Sequence, residues 1–103
     1  MDLQLKGKVI PVTGGAKGIG LGIAIELAAE GALPIIIGRN AQDNEQAIAA
    51  IAAKGGQAQQ VVAELSNPDD CAKAVAAIAA RYGRIDGWVN NAGVNDGVGL
   101  EKG

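Results

Sequence analysis

The chain reads as half of a doubly wound α/β sheet, with parallel strands in the order 3-2-1-4 and helices on both faces. Three observations predict it. Short β-branched runs alternate with stretches of helical period, giving the element order β-α-β-α-β-α-β. The runs are apolar at consecutive positions, as in strands covered on both faces. Cap and stop residues close the helical stretches, so the loops are short, and right-handed crossovers then set the strand order.

Lys8-Val9-Ile10-Pro11-Val12-Thr13 is the first run and stops at Gly14-Gly15. Pro11 is discordant, because a central strand loses a ladder donor there; either a bulge or an unpaired position absorbs it, or this strand is weaker than its pattern suggests. A helix is expected from about Gly18 to Glu30, with Gly31 as a left-handed stop. Leu33 to Ile37 is the second run, and Pro34 at its start is easily accepted. From Asn40, a capping residue, the period is helical again. Ala47, Ile48, Ile51 and Ala52 share a face, Asp43 and Glu45 lie near the positive end of the dipole, and Lys54-Gly55 closes the element. Gln59 to Ala63 is the third run. Asn67-Pro68-Asp69-Asp70 then supplies a cap, a first-turn proline and two early acids. Cys71, Val75, Ile78, Ala79 and Tyr82 are expected on one face of that helix, which Gly83 ends. The fourth run, Ile85 to Asn90, stops at Asn91-Ala92-Gly93.

A length of 103 residues suits one domain. Apolar residues make up 49% of the chain and charged residues 19%, which separates it from disordered tails. Phe is absent and Tyr82 and Trp88 are the only aromatics, so the core must come from Ala, Ile, Val and Leu, with little area per side chain. A net charge of −2 without a basic block gives no footing for nucleic acid or an anionic membrane surface. With no His and a lone Cys71, a Cys/His zinc site and an internal disulfide are excluded. No run is long enough to span a bilayer and the polar stretch Met1 to Lys8 is no signal peptide, so a cytoplasmic protein is expected.

The sharpest functional signal is Thr13-Gly14-Gly15-Ala16-Lys17-Gly18-Ile19-Gly20, whose glycines are spaced G-x-x-x-G-x-G between a strand and a helix. Glycines permit tight turning and close approach, and the N–H groups at the helix start can face a pyrophosphate. The bland alternative is a turn that only lets the helix pack on the sheet. Arg39, at the end of the second run, stands where an adenosine ribose is held. An acid there would suit a free 2′-hydroxyl; Gly38-Arg39 offers a cation instead, which suits a 2′-phosphate, or is simply a solvated charge. Asn90-Asn91-Ala92-Gly93 ends the strand beside the first and opens next to the glycine turn, with an ordinary Asn-Gly type turn as its alternative. Glu64, after the third strand, is placed to accept from an adenine amino group or to be a solvated carboxylate.

TGGAKGIG, GRN after the second strand and RYGRIDGWVNNAG together resemble the N-terminal portion of the short-chain dehydrogenase/reductase family, over about Gly7 to Gly93. More loosely, GALPIII and NNAGVNDGVGL are similar to bacterial sugar dehydrogenases of the L-fucose type. The resemblance implies a Rossmann fold. Gly14, Gly18, Ile19 and Gly20 would hold the cofactor pyrophosphate, and Lys17 and Arg39 would meet the 2′-phosphate of NADP, with NAD the less favoured cofactor. Glu64 and Leu65 would correspond to the acidic-apolar pair at the adenine, though the family favours Asp at the first. Asn91, Ala92 and Gly93 would line the ribose, with Asn90 bracing the strands.

The family's serine and Tyr-x-x-x-Lys catalytic group lies in a later half, and Tyr82 is followed by Gly83-Arg84-Ile85-Asp86, without a lysine at plus four. Tyr82 is therefore expected to be a core or cap residue. The chain reads as the cofactor-binding segment of an oxidoreductase truncated before its catalytic half, whose intact relatives take a small-molecule alcohol, sugar or carbonyl substrate. A non-catalytic dinucleotide sensor and an inactive remnant are the competing readings. A fourth strand without its family neighbour is also expected to self-associate.

Overall fold

The computed structural model describes residues 4–91. Four parallel strands, β1 (Val9–Thr13), β2 (Leu33–Gly38), β3 (Gln59–Val62) and β4 (Val89–Asn90), form one sheet in the order β3-β2-β1-β4. Helices α1 (Gly18–Ala29), α2 (Ala41–Ala53) and α3 (Pro68–Tyr82) connect them.

The helix ends follow from local chemistry. The Asn40 side chain accepts the Asp43 N–H, and the Asn67 side chain accepts from Asp69 and Asp70, so both helices begin on a filled cap. Gly83 ends α3 in the left-handed region (φ 73°), and Gly31 and Gly55 turn the same way after α1 and α2.

The central strands are buried on both faces, as consecutive apolar residues require. Val12 and Ile36 pack with Ala24, Ala28, Ala47 and Ile51 from α1 and α2. Val9, Ile35 and Ile37 pack on the other face with Ala74 and Ile78 from α3. The buried face of α3 is rotated from the expected one: Ala74 and Ile78 are covered, whereas Val75 is 40% exposed and Ala79 lies outside. Tyr82 packs at the rim of this core, as expected for a structural tyrosine.

Two expectations change at β4. Pro11 sits in an unbroken register with Ile35, so no bulge is needed. Lys8 and Gly14 bond toward β2, through Leu33 N–H to Lys8 O (2.8 Å) and Gly14 N–H to Ile37 O (3.0 Å). Strand alternation turns Pro11 the other way, toward the segment before β4. There the missing donor leaves a gap in the ladder, and β4 starts only at Val89, not at Ile85. Upstream of the gap a side chain replaces the ladder. Asp86 Oδ2 accepts the Val9 N–H (2.7 Å), and the Asp86 N–H donates to Val9 O (2.9 Å). Asp86 Oδ1 accepts from Arg84 (2.7 Å), and this bond, then the one from Val9, holds the Asp86 carboxyl below the usual carboxylate range; the same pairing raises Arg84. Among the described residues no helix is long and apolar enough to cross a membrane.

Candidate functional site

Parallel pairing brings the C-terminal ends of β1 and β4 together, at the point where the strand order reverses. The glycine turn leaves β1 there. Gly14 (φ 65°) and Gly18 (φ 54°) occupy the left-handed region, which bends the chain sharply from the strand into α1. Gly20 is required by contact instead: a Cβ on it would press into the Gly14 carbonyl and lie 2.6 Å from Asn91 Nδ2. Around Gly18 the space is open, with nothing within 4 Å of a built Cβ. The start of α1 has no side-chain cap, since Lys17 supplies none. Its first N–H groups are thus left for an acceptor from outside the helix.

Thr13 ties this turn to β4. Its hydroxyl accepts the Asn91 N–H (2.9 Å) and lies 3.0 Å from Asn90 Oδ1 and 3.3 Å from the Val89 carbonyl. Asn91, 4% exposed, also reaches Gly14 O through Nδ2 at 3.4 Å. Asn90 thus braces the two strands as expected. Thr13 was legible as the head of the glycine motif but not as a brace, because that role depends on a partner far away in sequence. Ala92 and Gly93 lie outside the described residues.

The cations emerge at the same edge. Lys17 Nζ reaches the first turn of α2 and pairs with Asp43 at 3.2 Å. Arg39, 81% exposed at its side chain, stands 3.8 Å from Glu64 Oε2. Glu64 also accepts the Ser66 hydroxyl (3.0 Å), and its N–H donates to Asp70 (2.9 Å), so the β3 end is held by the start of α3. Ile19 is 61% exposed beside the turn. Leu65 packs at the margin of the α3-side core. The residues that sequence reasoning missed are Thr13, Asp43 as a counter-ion, and Asn44, which is buried behind Gly38. Asn44 falls on the covered face of α2 with Ala47 and Ile51, so helical spacing places it, but polarity argues against looking there.

A chain with this sheet, glycine turn and paired asparagines has counterparts among known proteins. The model for short chain dehydrogenase matches residues 8–102. The chain belongs to the short-chain dehydrogenase family. It is 38% identical over 95 residues to a 3beta-hydroxysteroid dehydrogenase of Mediterraneibacter gnavus, across 92% of this chain and 33% of that protein. It is 39% identical over 101 residues to a hydroxynaphthalene reductase of Aspergillus fumigatus, across 97% and 37%. The chain thus spans about a third of the length of the curated relatives it matches. A citronellol catabolism dehydrogenase of Pseudomonas aeruginosa superposes with a TM-score of 0.81 at 36% identity, over 84% of this chain and 36% of that one. A metagenomic short-chain oxidoreductase in complex with NADP does so at 0.78 and 33% identity, covering 82% and 38%. An NAD+-bound xylitol dehydrogenase gives 0.76 at 30% identity, covering 82% and 33%. Both dinucleotides therefore occur among the structural neighbours of this chain.

Proposed function

We propose that this chain is the dinucleotide-binding segment of a short-chain oxidoreductase, that it favours NADP(H) over NAD(H), and that the whole enzyme acts on an alcohol, sugar or carbonyl compound. The observation that carries this reading is the glycine turn opening at the reversal of strand order, with Asn91 bonded back onto Gly14. The residues present fit such a group. The left-handed Gly14 and Gly18, the open space at Gly18 and the uncapped start of α1 offer room and backbone N–H donors suited to a pyrophosphate. Gly14, Gly18, Ile19 and Gly20 would line it, and Asn91, with Ala92 and Gly93, would border the ribose. Glu64 and Leu65 would stand at the adenine. A bound nicotinamide dinucleotide supplies hydride transfer. The chain's own part is to bind and orient it.

Lys17 and Arg39 would meet the 2′-phosphate. Its charge of about −2 and its acceptor oxygens suit the guanidinium fork, whereas Gly38 offers no carboxylate for a free 2′-hydroxyl. Asp43 and Glu64 hold the same two cations, so each is a competitor that the phosphate must displace. The pairs are largely exposed, and exposed pairs are worth about 0–1 kcal/mol, whereas a well-made charge-assisted bond is worth about 1.5–3 kcal/mol. The phosphate therefore wins. Fluorescence titrations with NADPH and NADH check this. NADPH is expected to bind at least about tenfold tighter. Arg39→Ala should erase most of that preference and raised salt should weaken it. Asp43→Asn, by freeing Lys17, should tighten NADPH about two- to threefold with little change for NADH. Equal affinities in the parent chain, or a preference untouched by Arg39→Ala, would show that these residues do not read the phosphate.

A further inference from the structure

Gly38 is a glycine for a reason that its backbone does not supply. It lies outside the left-handed region, unlike Gly14, Gly18 and Gly31, so an ordinary residue could adopt its conformation. What forbids a side chain is a neighbour: a Cβ built on Gly38 would stand 2.6 Å from Asn44 Oδ1. That oxygen cannot simply swing away. Asn44 is 0% exposed, its backbone N–H is bonded to Asn40 O (3.0 Å) in the first turn of α2, and its Nδ2 donates to Gly38 O at 3.1 Å. Rotating the amide would break the last bond in a closed site.

The arrangement is costly as pure structure. Asn44 Oδ1 is buried and, among the described residues, has no hydrogen-bond partner. An apolar side chain at this position of α2 would fill space beside Ala47 and Ile51 without an orphaned acceptor. The amide does two things that an apolar residue would not. Its oxygen fills the space of a residue-38 side chain. Its nitrogen joins the Ala63 N–H (3.1 Å) in holding the Gly38 carbonyl, the last backbone acceptor before Arg39 leaves the sheet.

We infer that Asn44 is a specificity-determining residue for the cofactor, acting through Gly38: it bars position 38 to the acid that would read a ribose 2′-hydroxyl and fixes the point from which Arg39 departs. Asn44 is a positioning residue with no contact of its own to the ligand, and the inference rests on the dinucleotide reading above. Its consequence is a coupled pair. An acid introduced at position 38 can work only when the amide at position 44 is removed with it.

The test is a double-mutant cycle on the 103-residue chain, using Gly38→Asp, Asn44→Ala and both together, read by NADH and NADPH titrations and by thermal melting. Gly38→Asp alone should leave NADH affinity within about twofold of the parent and lower the melting temperature. Adding Asn44→Ala should raise NADH affinity by about tenfold over the single variant and reverse the preference for NADPH. Gly38→Ala provides the gentler cycle if the aspartate variant fails to fold: it should lower the melting temperature in the parent and leave it nearly unchanged in the Asn44→Ala background. Additive effects at the two positions, or a full switch to NADH from Gly38→Asp alone, would overturn the inference while leaving the dinucleotide reading intact. A parent chain that binds neither dinucleotide would remove that reading and the inference with it.

Discussion

Neighbouring glycines in one turn are constrained by different physics, and substitution separates them. Gly18 has φ 54° and open surroundings, so Gly18→Ala meets only the backbone penalty of the left-handed region, about 1 kcal/mol. Gly20 is helical, and its missing side chain is where the Gly14 carbonyl and Asn91 amide sit. Gly20→Ala must push β1 and β4 apart or displace the turn, with an expected loss of about 2–3 kcal/mol. Urea unfolding of the two variants checks the order: Gly20→Ala should have much the lower midpoint, and should also lose dinucleotide binding because the turn no longer closes on Asn91. The converse order would mean that φ, and not contact, governs this turn.

The element of interest is β4, whose pairing depends on a carboxylate. Asp86 ties the segment upstream of the Pro11 gap to β1, accepting from Val9 on one oxygen and from Arg84 on the other. Because these bonds lower its folded-state pKa, their contribution is fully present above the ordinary carboxylate range and is lost as pH falls through the depressed value. Acidification should therefore loosen the β1–β4 side of the sheet before the β1–β2–β3 side, which is built on backbone pairs. The measurement is the protection factor of the Val9 and Asn91 amides against those of Ile35 to Ile37 across the acid range. With Asp86→Ala the difference should already be present at neutral pH, and its extra acid sensitivity should vanish. Uniform loss of protection across the four strands would sink the idea.

At the scale of the whole molecule, one side of the sheet ends at β4 among the described residues. β4 contributes two residues, is paired only to β1 among the described residues, and carries Trp88, 41% exposed, immediately before it. An edge of this kind invites pairing with a second copy. Sedimentation of the chain at rising concentration is expected to show association, and Trp88 fluorescence should shift to the blue with it; a concentration-independent monomer would contradict this. Chemistry is a separate matter. Tyr82, the only tyrosine, has its hydroxyl buried without a partner among the described residues and sits at the end of α3, with no lysine four residues on. Among the described residues no tyrosine–lysine pair of the family's kind is placed to move a proton, so NADPH oxidation by this 103-residue chain alone, assayed with a panel of ketones and sugars, is expected to stay at background.

The order of elements, the caps at Asn40 and Asn67, the glycine stops and the parallel character of the sheet were all legible in the sequence, because each depends on near neighbours or on simple periodicity. So was the glycine turn, since strand before and helix after are local facts. What tertiary structure alone decided are pairings across long separations. Thr13 joins Asn90 and Asn91, Asp86 substitutes for a ladder that Pro11 interrupts, and Asp43 and Glu64 hold the two cations expected at a 2′-phosphate. The sharpest case is Gly38. Its sequence neighbours suggest a missing acid, but only the packing of α2 on β2 reveals that the buried Asn44 amide already fills the place where a side chain would stand. A hydrogen bond or a steric exclusion is a property of two residues at a distance of a few ångströms, and a single sequence records neither the distance nor the partner.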